Sequence, residues 1–208
     1  MQAVLPSCRA ALQGVRGPFQ QSVYSSASAS RVLSAQLQPF LSLNSSFHLT
    51  STMPIKVGDQ IPCAELYEDT PANKINIAEY VKGKKIVLFA VPGAFTPGCS
   101  KTHLPGYVAD ADKLKSKGIS EIICVSVNDP FVMGAWGKDQ NVNGKVKLLA
   151  DPAAAFTKAL ELDTDIPPLG GTRSKRYSMV IDDGKVTQLN VEPDGTGLSC
   201  SLSKSLNV

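Results

Sequence analysis

The body of the chain alternates between two hydrophobic rhythms. Lys85-Ile86-Val87-Leu88-Phe89-Ala90-Val91 is a nearly unbroken apolar run, as expected of a strand buried on both faces. Pro92-Gly93-Ala94-Phe95-Thr96-Pro97-Gly98 interrupts it. From Cys99 to about Lys117, Leu104, Tyr107, Val108, Ala111 and Leu114 recur at helical spacing, with Pro105 expected to kink the helix and Gly118 to close it. Ile119–Val127 reads as a second buried strand. Asp129 as N-cap and Pro130 at the first position predict a helix to about Asn141. Val146–Ala150 is a short strand, and Asp151-Pro152 should cap a helix running to Leu160. Tyr177–Ile181 and Lys185–Val191 read as a hairpin across Asp182-Asp183-Gly184. The order β-α-β-α-β-α-β-β predicts an α/β domain with a central mixed β-sheet flanked by helices.

Charge divides the chain of 208 residues in two. Residues 1–52 contain Arg9, Arg16 and Arg31, no Lys, no acid and many Ser. That composition predicts an organellar transit peptide, most simply mitochondrial, or else a disordered leader. No apolar block suits a secretory signal, and no apolar run is long enough for a membrane helix. Residues 53–208, the expected folded domain, balance acids and bases, so the basic character belongs to the leader and implies no nucleic-acid partner. A second start at Met53 would give an untargeted, cytoplasmic product. The end Ser205-Leu206-Asn207-Val208 is not a Ser-Lys-Leu address, so a peroxisomal destination is not expected.

Cys8, Cys63, Cys99, Cys124 and Cys200 form no C-x-x-C pair, and only two histidines accompany them, so neither a metal site nor a cofactor is expected. Cys124, inside an apolar strand, reads as a buried hydrophobe, and Cys63 as an inert thiol. Cys99 differs from both. It opens a helix after a Pro/Gly-rich loop, where free N–H groups and the positive helix end favour thiolate. An ordinary thiol of pKa ~8.5 is about 3% thiolate at pH 7, whereas one of pKa ~6 is about 90%. His103, one turn later, gives no triad with Cys99 and reads as a partly exposed helix residue. On position alone, Arg173 and Arg176 are equal candidates for a charge near the thiol.

Val91-Pro92-Gly93-Ala94-Phe95-Thr96-Pro97-Gly98-Cys99-Ser100 resembles the active-site motif of the peroxiredoxins. Lys175-Arg176-Tyr177-Ser178-Met179-Val180 and Asn190-Val191-Glu192-Pro193-Asp194-Gly195-Thr196-Gly197 extend the resemblance over residues 53 to about 202, and it points to the atypical two-cysteine type. It implies a thioredoxin-like fold and a peroxidase for hydrogen peroxide, alkyl hydroperoxides and peroxynitrite. It implies that Cys99 is the peroxidatic thiolate and Cys200 the resolving cysteine of the same chain. Thr96 and Arg176 would bind peroxide, with Gly98 and Cys99 adding backbone N–H groups, and Pro92 would shield the sulfur. Thioredoxin would be the reductant, and the protein a homodimer. The same fold would also serve a thiol-disulfide oxidoreductase, which the lack of C-x-x-C disfavours, or a redox-sensing binding module without activity. Asp163–Gly171, with Ile166-Pro167-Pro168, does not match the family pattern.

Overall fold

The computed structural model describes residues 53–208. A short hairpin of β1 (Glu65–Tyr67) and β2 (Lys74–Asn76) leads through one helical turn, α1 (Ile77–Tyr80), into β3 (Lys85–Ala90). A π-helical turn (Cys99–His103) then runs directly into α2 (Leu104–Ser116). β4 (Glu121–Ser126), α3 (Pro130–Asp139), β5 (Lys147–Ala150) and α4 (Ala155–Ala159) follow in strict alternation. The ribbon β6 (Asp163–Ile166) and β7 (Gly171–Ser174) precedes β8 (Tyr177–Asp182) and β9 (Lys185–Val191).

The strands make a sheet in the order β2-β1-β5-β4-β3-β8-β9. β3, β4 and β5 are mutually parallel, while β8 and β9 continue the sheet antiparallel on one side and β1 and β2 on the other. The sheet is therefore mixed, as the sequence predicts. Successive residues of β3 enter opposite cores, which explains its unbroken apolar run. Ile86, Leu88 and Ala90 pack with Ile123, Val125, Met179 and Phe156. Val87, Phe89 and Val91 pack with Leu104, Tyr107, Cys124 and Trp136 beneath α2 and α3. Each fully buried aliphatic or aromatic side chain stabilises this arrangement by roughly 1.5–3 kcal/mol.

Local signals act as expected at several ends. Asp129 caps α3 by accepting from the Val132 N–H at 3.0 Å. Asp183 and Gly184 both take positive φ (46° and 77°), the turn that matches the twist of a two-residue hairpin.

Four expectations need correction. The single helix expected from Cys99 to Lys117 is two pieces: Pro105 stands at the start of α2, directly after a π-helical turn, so the helical pitch changes next to the proline. In that turn the Leu104 N–H reaches the Cys99 carbonyl, one residue further back than in an α-helix. The helix after Asp151 begins only at Ala155, because Ala154 takes a left-handed φ of 53°. Asp151 still caps it, from the loop, by accepting from Phe156 N, Thr157 N and Thr157 Oγ1. The unfamiliar segment around Pro167 is the β6–β7 ribbon, reversed by a 3-10 turn at Pro167–Leu169 and by positive φ at Gly170 and Gly171. Finally, β1, β2 and α1 carry no periodic signal and were not expected.

Candidate active site

Cys99 lies beyond the carboxyl end of β3, fully buried, as the first residue of the π-helical turn. The loop that delivers it is held from several sides. Val91 N–H extends the β3–β4 pairing by donating to the Val125 carbonyl, and Ala94 N–H donates to Asn128 Oδ1 at 3.0 Å. Thr96 Oγ–H donates to the Gly93 carbonyl at 3.0 Å, which leaves its oxygen lone pairs available to an incoming donor. Thr96 O in turn accepts from the Ser100 N–H at 2.9 Å and starts the turn. Pro92 is buried and Thr96 half-buried.

Arg176 reaches the sulfur from across the sheet. Tyr177 pairs with Ala90 in the β3–β8 ladder, so Arg176 sits just past the end of β3. The side chain is 4% exposed. Its Nη1 lies 3.3 Å from Cys99 Sγ and 3.2 Å from His103 Nδ1, and Nε donates to the Thr196 carbonyl at 3.0 Å. Among the described residues no carboxylate forms a salt bridge with it. A buried cation without a carboxylate must be satisfied by other groups, and the Cys99 sulfur at 3.3 Å is one of them. Gly98 lies against this guanidinium: a Cβ there would stand 3.4 Å from Arg176 Nη2 and from Leu198 Cδ1, at the edge of ordinary contact.

The structure separates the two arginines that sequence position left equal. Arg173 donates through Nη1 to the Val127 carbonyl at 2.8 Å and through Nη2 to the Leu169 carbonyl, and so braces the β6–β7 ribbon rather than the thiol.

His103 is the residue the sequence misread. It is fully buried, packed edge-on against Phe89 and Tyr107, whose own rings stack at 4.0 Å. Arg176 has only donors, so His103 Nδ1 must accept, and Nε2–H then donates to the Ser201 carbonyl at 3.0 Å. Burial, with the Arg176 charge beside it, lowers its pKa to about 4 despite the Ser201 bond, so the ring is neutral at physiological pH. Tyr107 O–H donates to the same Ser201 carbonyl at 2.8 Å.

Cys200 is half-buried and free, and its Sγ–H donates to the Val191 carbonyl at 3.4 Å. Burial and the neighbouring Glu192 carboxylate push its pKa up, so it rests as a thiol. Cys99 is also free, and the two sulfurs face different partners in this state. Cys124 is buried, with burial raising its pKa well above the usual thiol range, in keeping with an inert hydrophobe. Cys63 is exposed and is not among the free thiols, so it departs from the expected inert thiol; its sulfur also accepts from Asn76 Nδ2 at 3.2 Å.

Among the described residues no group of three or more His, Cys, Asp or Glu is placed to hold a metal, and no helix is long and apolar enough to cross a membrane. A surface cavity of 430 Å³, lined by Glu121 and Lys147 at the starts of β4 and β5, contains none of the residues around Cys99.

The chain matches the redoxin family over residues 56–205. It is 47% identical over 146 residues to peroxiredoxin-2D of Arabidopsis thaliana, covering 68% of this chain and 90% of that one. The crystal structure of reduced Prx3 from Vibrio vulnificus in complex with hydrogen peroxide superposes with a TM-score of 0.68 at 49% identity, over 73% of this chain and 96% of the other. Peroxiredoxin 5 from Alvinella pompejana gives a TM-score of 0.65 at 47% identity, over 71% and 96%. The fold is therefore thioredoxin-like, and the chain belongs to the redoxin family as a peroxiredoxin, an enzyme that reduces peroxides with a thiol.

Proposed function

We propose that this peroxiredoxin is of the atypical two-cysteine, peroxiredoxin-5 type, with Cys99 peroxidatic and Cys200 resolving. The observation that carries this reading is the buried Arg176 guanidinium on Cys99 Sγ at 3.3 Å, with no carboxylate to neutralise it. Its planar donors sit on the reacting sulfur and hold the two oxygens of a peroxide in line with it. Thr96 Oγ accepts the peroxide O–H, and the Gly98 and Cys99 N–H groups support the leaving oxygen. Cys99 sulfur attacks the distal oxygen, the O–O bond breaks, and the departing alkoxide or hydroxide takes a proton. Sulfenic acid forms on Cys99 and the rest of the peroxide leaves as alcohol or water, or as nitrite where the oxidant is peroxynitrite. Cys200 sulfur then attacks that sulfenic sulfur, the S–O bond breaks, and hydroxide leaves with the Cys200 proton as water. Thioredoxin reduces the resulting disulfide.

Hydrogen peroxide, small alkyl hydroperoxides and peroxynitrite are the proposed substrates, the oxidants that the family resemblance implies. A homodimer and mitochondrial delivery by residues 1–52 complete the reading, with a cytoplasmic form starting at Met53. The leader itself lies outside the described residues.

The test is peroxide consumption by the full chain, coupled to thioredoxin and its reductase, for wild type and two variants. Cys99→Ser should consume nothing. Cys200→Ser should consume one equivalent, leave a sulfenic acid and fail to turn over. Normal cycling by Cys200→Ser, or a peroxide-induced bridge mapped to Cys63 or Cys124, would refute the assignment.

A further inference from the structure

Glu192 follows β9 directly and is only 1% exposed. A carboxylate buried this deeply normally faces a cation. Here none forms a salt bridge with it among the described residues. Instead Oε1 accepts from three consecutive backbone N–H groups, those of Ser199 (2.8 Å), Cys200 (2.9 Å) and Ser201 (2.9 Å), and from Ser201 Oγ–H at 2.7 Å. Oε2 accepts from Ser199 Oγ–H at 2.6 Å. All of these donors belong to the segment that carries Cys200. Burial pushes the carboxyl's pKa up, but the bonds from Ser199, Ser201 and Cys200 outweigh it and hold it at about 2, so the group is charged under physiological conditions.

The same segment is tied to the reacting sulfur. The Ser201 carbonyl accepts from His103, His103 accepts from Arg176, and Arg176 donates to Cys99. The Glu192 N–H donates to the Arg176 carbonyl at 3.0 Å, so clamp and guanidinium also share a backbone link. We propose that Glu192 is a positioning residue for the resolving step. Its carboxylate fastens residues 199–201 in a waiting position while Cys99 meets peroxide, and must release them before Cys200 can reach the sulfenic acid. This rests on the reading of Cys200 as the resolving cysteine.

Disulfide formation requires the two Cα atoms within about 7 Å. In the waiting position the Cys200 N–H is fastened to Glu192 and its thiol to Val191, so opening must break charge-assisted hydrogen bonds. Weakening the clamp should therefore speed resolution. The delay it imposes lets the sulfenic acid persist, and persistence under excess peroxide permits further oxidation to sulfinic acid.

The only Trp of the chain reports these events, because Trp136 Nε1–H donates to Ser100 Oγ in the turn that bears Cys99. Reduced full-length protein is mixed rapidly with excess peroxide and its fluorescence followed. One phase should scale with peroxide, and a second should be independent of it. In Glu192→Gln the second phase should accelerate at least about fivefold, the first should change by less than about threefold, and mass spectrometry should find less sulfinic acid. Ser199→Ala removes one hydroxyl donor and keeps the carboxylate; it should accelerate the second phase about twofold. It serves as the test if Glu192→Gln does not fold. A merely structural role would slow or blur both phases together. A second phase that is slower or unchanged in these variants overturns the proposal. Cys200→Ser distinguishes the two levels: persistence of its second phase refutes the resolving role of Cys200, whereas its loss with an unmoved rate in the clamp variants refutes only the clamp.

Discussion

Mild acid should weaken this fold through His103 before the carboxylates take part. The buried ring has a folded pKa of about 4 against an unfolded value near 6.5, with burial the main cause. The unfolded chain therefore takes up the proton first as pH falls. Stability from this group is complete above about pH 6.5 and is lost on the way down to about pH 4. The total is about 3 kcal/mol, and about 2 kcal/mol is already gone at pH 5. Glu192 works in a lower window. Its pKa is also depressed, to about 2, so its contribution disappears between about pH 4.5 and 2 and hardly bears on pH 5. Urea unfolding of the reduced protein at pH 8 and pH 5 measures the effect. With a slope near 2 kcal/mol per molar urea, the midpoint should fall by about 1 M. His103→Asn, which keeps an acceptor for Arg176, will be less stable at both pH values but should lose little between them. Equal pH-dependent losses in wild type and variant would falsify the argument.

Two further outcomes are expected. Arg176→Ala should slow the reaction of Cys99 with peroxide more than tenfold in rapid-mixing experiments, since a positive partner and an oriented donor are lost together. Arg176→Lys should recover only part of this, because one ammonium cannot serve Cys99, His103 and the Thr196 carbonyl at once; an unchanged rate in the alanine variant would move the field to the helix start. Residues 1–52 fused to a fluorescent protein should direct it to mitochondria, while a chain starting at Met53 should stay cytosolic; a diffuse fusion would defeat the targeting reading.

The parts of the fold legible in the sequence are those whose burial imposes a long pattern. β3, β4 and β8 have neighbours on both sides and five of their six residues buried, so apolar residues dominate each. β1, β2 and α1 span only three or four residues each, too few to show a period. Cys99 is legible because loop, turn and nucleophile are contiguous. The choice between Arg176 and Arg173 is not, because pairing of Tyr177 with Ala90 decides it, and register is a property of the sheet. The place of His103 on the Cys99 face follows from its spacing of four residues, but its burial does not, because Phe89, Tyr107 and Arg176, which cover it, meet there only through tertiary packing. Glu192 left no trace, because its partners are mainly backbone N–H groups, which every residue but proline possesses.

The π-helical turn also means that the aim of the nucleophile depends on a count of residues. Leu104 bonds back five positions to Cys99, so the turn holds one residue more than an α-helix would place there. Lys101 and Thr102 are exposed, and exchanging either for another polar residue changes nothing that touches the sulfur. Deleting Thr102 is a different event. Unless the turn rewound to α-helical pitch, everything before the gap would rotate by about 100° around the axis of α2. Cys99, Thr96, Arg176 and Cys200 would all survive in the chain, yet the sulfur would no longer face the guanidinium. Across related chains this short stretch should therefore tolerate substitution freely and length variation hardly at all.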